Sequence, residues 1–156
     1  MRKPVLVKTS IDGIIEDLSG RTEHKVLATW AADCAGRVLH YFEEEYPDDP
    51  RPGAAIEALR KWVQTGVFRM ADVRKASLDA HAAARNAGAF TPARSAARAA
   101  GQAMATAHVP RHALAAAIYA ATAVHDATPS PGADEAALRE RQWQYQHLLE
   151  LAGSES

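Results

Sequence analysis

Thirty-five of the 156 residues are alanine, and much of it comes in short runs such as Ala82-Ala83-Ala84 and Ala115-Ala116-Ala117. Valine and isoleucine together number 14, and five of those fall within the first 15 residues. A large sheet needs β-branched side chains throughout, so this distribution excludes a barrel or a sandwich. Alanine has the best intrinsic helix propensity, and the chain reads as packed helices. At 156 residues it is long enough for one domain with a real core. The alanine runs are a bias of composition, with no repeat beneath them.

Proline, glycine and capping residues divide the chain. Residues 1–20 read as an N-terminal arm: Val5-Leu6-Val7 extended or paired as a strand, Asp12-Gly13 a turn, and Ile14 to Leu18 one helical turn. The first long helix is expected from Thr22 to Tyr46, its apolar stripe running through Val26, Trp30, Cys34, Val38 and Phe42. Pro47, Pro50 and Pro52 interrupt it, because each fixes φ and removes a donor. A second helix follows from Pro52 to Thr65, with Gly66 just past its end. The third runs from Met70 to Ala87. Thr91 caps the fourth, which starts at Pro92 and reaches Ala107. The fifth spans Arg111 to Asp126, and Asp134 caps a last helix that fades near Gly153. The expected fold is therefore all-α: a single-domain compact bundle of about six helices over residues 21–153, with a mobile tail at 154–156. Small side chains let helices approach closely, so the third, fourth and fifth should form a tight central layer. Trp30, Cys34, Leu59 and Ile118 are the expected core residues.

Several function classes drop out. The net charge is −1 and the pI about 6.7, which does not suit a polyanion binder, so no nucleic-acid partner is expected. Cys34 is the single cysteine, which rules out an intrachain disulfide and a cysteine-based zinc site and fits a reducing cytoplasm. Lys8 and Asp12 break any signal-peptide core, and the uncharged stretch His112–His125 falls short of the ~20 residues that span a bilayer. No membrane association is expected. There is no phosphate loop, nucleotide-binding fingerprint, GxSxG or calcium-loop spacing, so no cofactor is expected.

What remains is an uneven charge pattern and two side-chain groupings. Glu43, Glu44, Glu45, Asp48, Asp49 and Glu57 face only Arg51, a local balance of −5. The first five form an acidic knob at the end of the first long helix, a candidate partner-binding surface. Between Arg69 and Arg98 six bases outweigh Asp72 and Asp79, a balance of +4. That segment holds most of the second grouping, a polar cluster of Asp79, His81, Arg85, Arg98 and His108. His81 and Arg85 lie one helical turn apart among alanines. Long polar side chains there either reach solvent or converge in a seam between helices, where a histidine beside arginines could bind an anion or carry a proton. His108 and His112 have the spacing of a helical metal pair, but Pro110 separates them and no third ligand is marked, so no metal site is expected. Asp33 and Arg37 are spaced to pair along their helix. Cys34, on the apolar stripe, reads as a packed residue rather than a nucleophile.

Some strings resemble a known family. His24-Lys25-Val26-Leu27-Ala28-Thr29-Trp30-Ala31-Ala32-Asp33-Cys34-Ala35, followed by Arg37-Val38-Leu39, is similar to the opening of the Imm5-like putative immunity proteins of bacteria and archaea. The likeness continues in Pro52, in Ala55-Ile56-Glu57-Ala58-Leu59-Arg60 and in Ala80-His81-Ala82-Ala83-Ala84-Arg85. It includes Ala96-Ala97-Arg98-Ala99-Ala100-Gly101-Gln102-Ala103 and Ala105-Thr106-Ala107-His108-Val109, and spans roughly residues 22 to 125. The resemblance implies a non-catalytic antidote to a protein toxin and brings no catalytic residues with it. Two functions follow for testing: a toxin-binding domain using the acidic knob, or a small enzyme or anion-ligand binder using the His/Arg cluster. Convergence of His81, Arg85, Arg98 and His108 on one concave site would favour the second.

Overall fold

The computed structural model describes residues 6–153. Those residues form seven helices and no strand: α1 (Asp12–Ser19), α2 (His24–Glu43), α3 (Arg51–Thr65), α4 (Met70–Asn86), α5 (Pro92–Ala105), α6 (His112–Ala127) and α7 (Ala133–Gly153). The fold class is as expected, but the count rises from about six to seven, because the arm holds a two-turn helix rather than a single turn. Asp12 is the reason. Its carboxylate accepts the Thr9 backbone N–H at 2.9 Å and the Thr9 hydroxyl, which folds the chain into the first turn of α1. Leu6 and Val7 take no regular secondary structure, and the Val7 N–H donates to Thr122 Oγ1 at 3.2 Å. Val5 of the proposed strand and Ser154–Ser156 of the tail lie outside the described residues.

Local chemistry sets most helix ends. The Glu23 carboxylate accepts from the N–H groups of Lys25 and Val26 at 3.0 and 3.2 Å, so α2 starts at His24, two residues later than the sequence suggested. Its regular part stops at Glu43, before Tyr46. Gly66 ends α3 in the left-handed region at φ +70°, its N–H on the Trp62 carbonyl at 2.7 Å. Thr91 caps α5 through Arg94 N–H at 3.2 Å, with Pro92 at the first helical position. Asp134 does not cap α7. It sits inside the first turn, with its carboxylate 3.1 Å from His125 Nε2.

The alanine-rich helix α5 occupies the centre, packed against α2, α3, α4 and α6. Ala96, Ala97, Ala99, Ala100 and Ala103 have no exposed surface. Side chains this small bring neighbouring backbones close. The expected layer of α4, α5 and α6 is present, although α4 keeps one face in solvent, with Arg74, Lys75 and Leu78 exposed. Bulk comes from α2, which lies over α5 and α6 and buries Trp30, Val38 and Phe42. Trp30, Cys34 and Leu59 are fully buried as expected. Ile118 is only half-buried: α6 turns Ala113, Ala116, Ala117 and Ala120 to the core, and Ile118 falls at the edge of that face.

A buried polar chain crosses this core. The Trp30 indole N–H donates to the Gln144 carbonyl at 2.8 Å, and the Gln144 side-chain amide donates to the Ala117 carbonyl at 2.9 Å. Arg141, 3% exposed, donates to Gln144 Oε1 at 2.8 Å and to Asp12 Oδ1 at 3.0 Å. Four helices, α1, α2, α6 and α7, are joined through this chain. Among the described residues no buried side-chain nitrogen or oxygen lacks a partner, as native interiors require.

Candidate functional site

The acidic knob follows from how α2 ends and α3 begins. Glu43 is the last residue of α2, and Glu44 to Pro50 form the connection. Glu43, Glu44, Glu45 and Asp48 are exposed. Tyr46 is half-buried, its ring 5.1 Å from that of the buried Phe42, which anchors the turn to the core. Asp49 is different from the other four. It accepts the Arg51 guanidinium at 2.9 and 2.7 Å and the Arg51 N–H at 3.1 Å, and these bonds hold its carboxyl below the usual range against the effect of burial. Of the five residues, four thus present exposed carboxylates, Glu44 with a 3.4 Å contact to His40, and the fifth builds the turn.

The polar cluster is partly assembled. His81, on α4, accepts from the Arg98 guanidinium of α5 at 2.8 Å through Nδ1. Burial pushes the His81 pKa down to about 4, and Arg98, Arg85 and His112 add to the effect. The ring is therefore neutral near pH 7, with its proton on Nε2. It lies directly on Gly101: a Cβ there would come within 2.7 Å of Nε2. Further along the seam, Ser77 Oγ donates to the Gly101 carbonyl at 2.9 Å, and His112 Nδ1 donates to Gln102 Oε1 at 2.7 Å. Asp79 is not part of this contact. It pairs with Lys75 at 2.7 Å along the exposed side of α4. His108 also stays apart, exposed, with its ring 6.1 Å from that of Phe68. A cleft of about 760 Å³ is lined by Glu16, Asp17, Arg21, Leu27 and Arg111 among others, and by no member of the cluster. His81 and Arg98 meet, and Arg85 stays exposed one turn along α4, so the four-residue convergence on one concave site is not formed. No group of three or more His, Cys, Asp or Glu among the described residues is placed to hold a metal.

A third surface was not anticipated. Asp33 and Arg37 do not pair with each other. Asp33 is taken by Arg60 of α3 and His147 of α7, both at 2.7 Å. Arg37 makes a fork to Glu140 of α7 at 2.8 and 2.9 Å, and lies over the Trp143 ring at 3.9 Å. A bidentate tertiary partner outcompetes a single contact along the helix. Trp143 and His147 stack at 4.7 Å, completing an ordered patch of aromatic and charged groups. The signal in the sequence was their spacing of four on α7; which helix they would face was not. Just beneath, Cys34 is completely buried, and burial pushes its thiol well up, so it is a packed residue and not a nucleophile.

A model of the family described as Imm-5 like putative immunity protein matches residues 17–151. The chain belongs to that family. The match runs past residue 125 and through most of α7, so the family pattern includes the last helix as well as the strings from α2 to α5. Asp12 and the start of α1 lie before it. Searches of curated proteins and of solved structures find no match. Among the described residues, no helix of this family member is long and apolar enough to cross a membrane.

Proposed function

We propose that the chain is an antidote that binds a protein toxin in the cytoplasm and blocks it without catalysis, using the acidic turn between α2 and α3. Membership of an immunity-protein family carries the reading. The exposed carboxylates of Glu43, Glu44, Glu45 and Asp48 supply its electrostatics, since a concentrated negative surface steers a basic partner into contact. The neighbouring patch adds the residue types that dominate interface energetics. Tyr41, two residues before Glu43 on α2, is half-buried, and burial, then the charges of Glu140 and Glu44, raise its hydroxyl pKa. Trp143 and Arg37 are already ordered by their contacts, so little side-chain entropy remains to be lost on docking.

The test has two steps. Tagged protein is used to capture partners from the source organism, and each captured candidate is expressed alone and together with this chain. The expected result is a captured protein that arrests growth alone and is harmless beside the antidote, with a 1:1 complex on mixing the purified proteins. Growth arrest that persists at equal expression, or rescue with no complex formed, defeats the proposal.

A further inference from the structure

We infer that Arg98, held by His81, forms with the exposed Arg85 a binding site for a doubly charged oxyanion of the phosphate class on the seam between α4 and α5. Among the described residues, every arginine other than Arg98 that is at least partly buried is already partnered, whereas Arg21, Arg69, Arg74 and Arg111 stay exposed to water. Arg37, Arg51, Arg60 and Arg141 each meet a carboxylate within 3.0 Å. Arg94 spends its guanidinium on the carbonyls of Ala87 and Arg85 at 2.6 and 3.1 Å, which secures the end of α4. Arg98 is half-buried and has no carboxylate partner among the described residues. After burial, which lowers its hold on its own proton, the largest influence on it is Tyr119 of α6, which strengthens that hold, and the cations Arg85 and Arg94 weaken it. A half-buried cation among cations is costly unless something neutralises it.

Its surroundings also fix its direction. His81 accepts only one arm of the guanidinium, leaving the other edge of the fork unspent. That edge has the spacing that oxyanions accept in pairs. His81 lies against Gly101, where any larger residue would collide with the ring, and its Nδ1 is tied to Arg98. Arg85, one turn further along α4 and exposed, acts on both His81 and Arg98 and is free to close over a bound anion. The groups that bear on His81 are Arg85 of its own helix, Arg98 of α5 and His112 of α6, and all are basic. The one carboxylate nearby in sequence, Asp79, is engaged by Lys75. The seam thus lacks its counter-charge, and a small dianion would supply it.

The probe is sulfate, which keeps both charges while His81 titrates, added at constant ionic strength against sodium chloride. The readout is the His81 ring resonance, followed by nuclear magnetic resonance against pH. The expected result is a saturating shift and a rise of the His81 midpoint from about 4 by about one unit or more, because a bound dianion favours the imidazolium, whose Nδ1–H gives up the Arg98 bond and donates to the anion instead. Arg98→Gln and Arg85→Gln should each weaken sulfate binding about tenfold, whereas Arg74→Gln, exposed on the same helix, should leave it unchanged. The wild-type titration needs no variant to fold. A linear shift without saturation, an unmoved His81 midpoint, or equal weakening by Arg74→Gln overturns the inference.

Discussion

At the scale of single residues, His81 and Gly101 behave as one unit. His81 is neutral in the folded protein well below the pH at which a free histidine charges, chiefly through burial and then through its basic neighbours. Its folded pKa lies below the unfolded one, so the stabilising contribution is complete above about pH 6.5 and is lost as pH falls from there toward 4. Discounting for the partial exposure of the ring, denaturant melts should show a loss on the order of 1–2 kcal/mol across that window, and His81→Gln should flatten it. Gly101→Ala should cost about 1–3 kcal/mol through overpacking against the ring. The combination of Gly101→Ala with His81→Ala should recover part of that loss, since the two side chains occupy the same space. Trp30→Ala should cost about 3–5 kcal/mol in urea melts, because it empties a fully buried site and removes the bond to the Gln144 carbonyl.

At the scale of elements, α1 is a short helix that its own hydrogen bonds would not sustain. It is held by Asp12 on Arg141 and by Ile15, fully buried. Burial alone would raise the Asp12 pKa, but the bonds from Thr9 and the charge of Arg141 outweigh it and hold the carboxyl low. Asp12→Ala should release α1 and leave a buried guanidinium short of its partner. The expected loss is about 2–4 kcal/mol, with faster amide exchange in α1 and at the start of α7. Asp12→Asn, which keeps an acceptor, should lose less. An exchange pattern confined to α1, with stability intact, would show that the latch is local and that the chain through Gln144 holds without it.

For the whole molecule, charge separation is the feature that reaches furthest. Acidic side chains gather at the α2–α3 turn, and basic ones along α4 and the start of α5. Charge reversal at Glu44 and Asp48 should slow association with a basic partner steeply at low salt, and the effect should shrink as salt screens it. Both residues are exposed, and neither Glu44, with a weak 3.4 Å contact to His40, nor Asp48 supports the fold, so the melting temperature should hardly move. Stopped-flow association at two ionic strengths, beside a thermal melt, measures both. Asp49→Ala is the contrasting change: it frees the turn by removing the Arg51 contacts, and should affect binding through order rather than charge.

The helices were legible in the sequence because their determinants are local. Alanine propensity, the stripe from Val26 to Phe42, Thr91-Pro92 and Gly66 act within a few residues, so the class and most boundaries could be read directly. The acidic knob was legible for the same reason: three consecutive glutamates and a proline-braced turn need no distant partner to stay exposed. Tertiary structure decided what depends on facing surfaces. Asp33 and Arg37 were a plausible pair along α2, yet α3 and α7 bring Arg60, His147 and Glu140 closer and in better geometry. Asp12 read as a turn residue and became the anchor of α1, because Arg141 lies across from it, 129 positions later in the chain. Of the polar cluster, only His81 and Arg98 meet directly, since helix spacing gives a side chain its face but only packing sets that face opposite another. A residue's reach along its own helix is written in the sequence, whereas its partner across an interface exists only once the helices have docked.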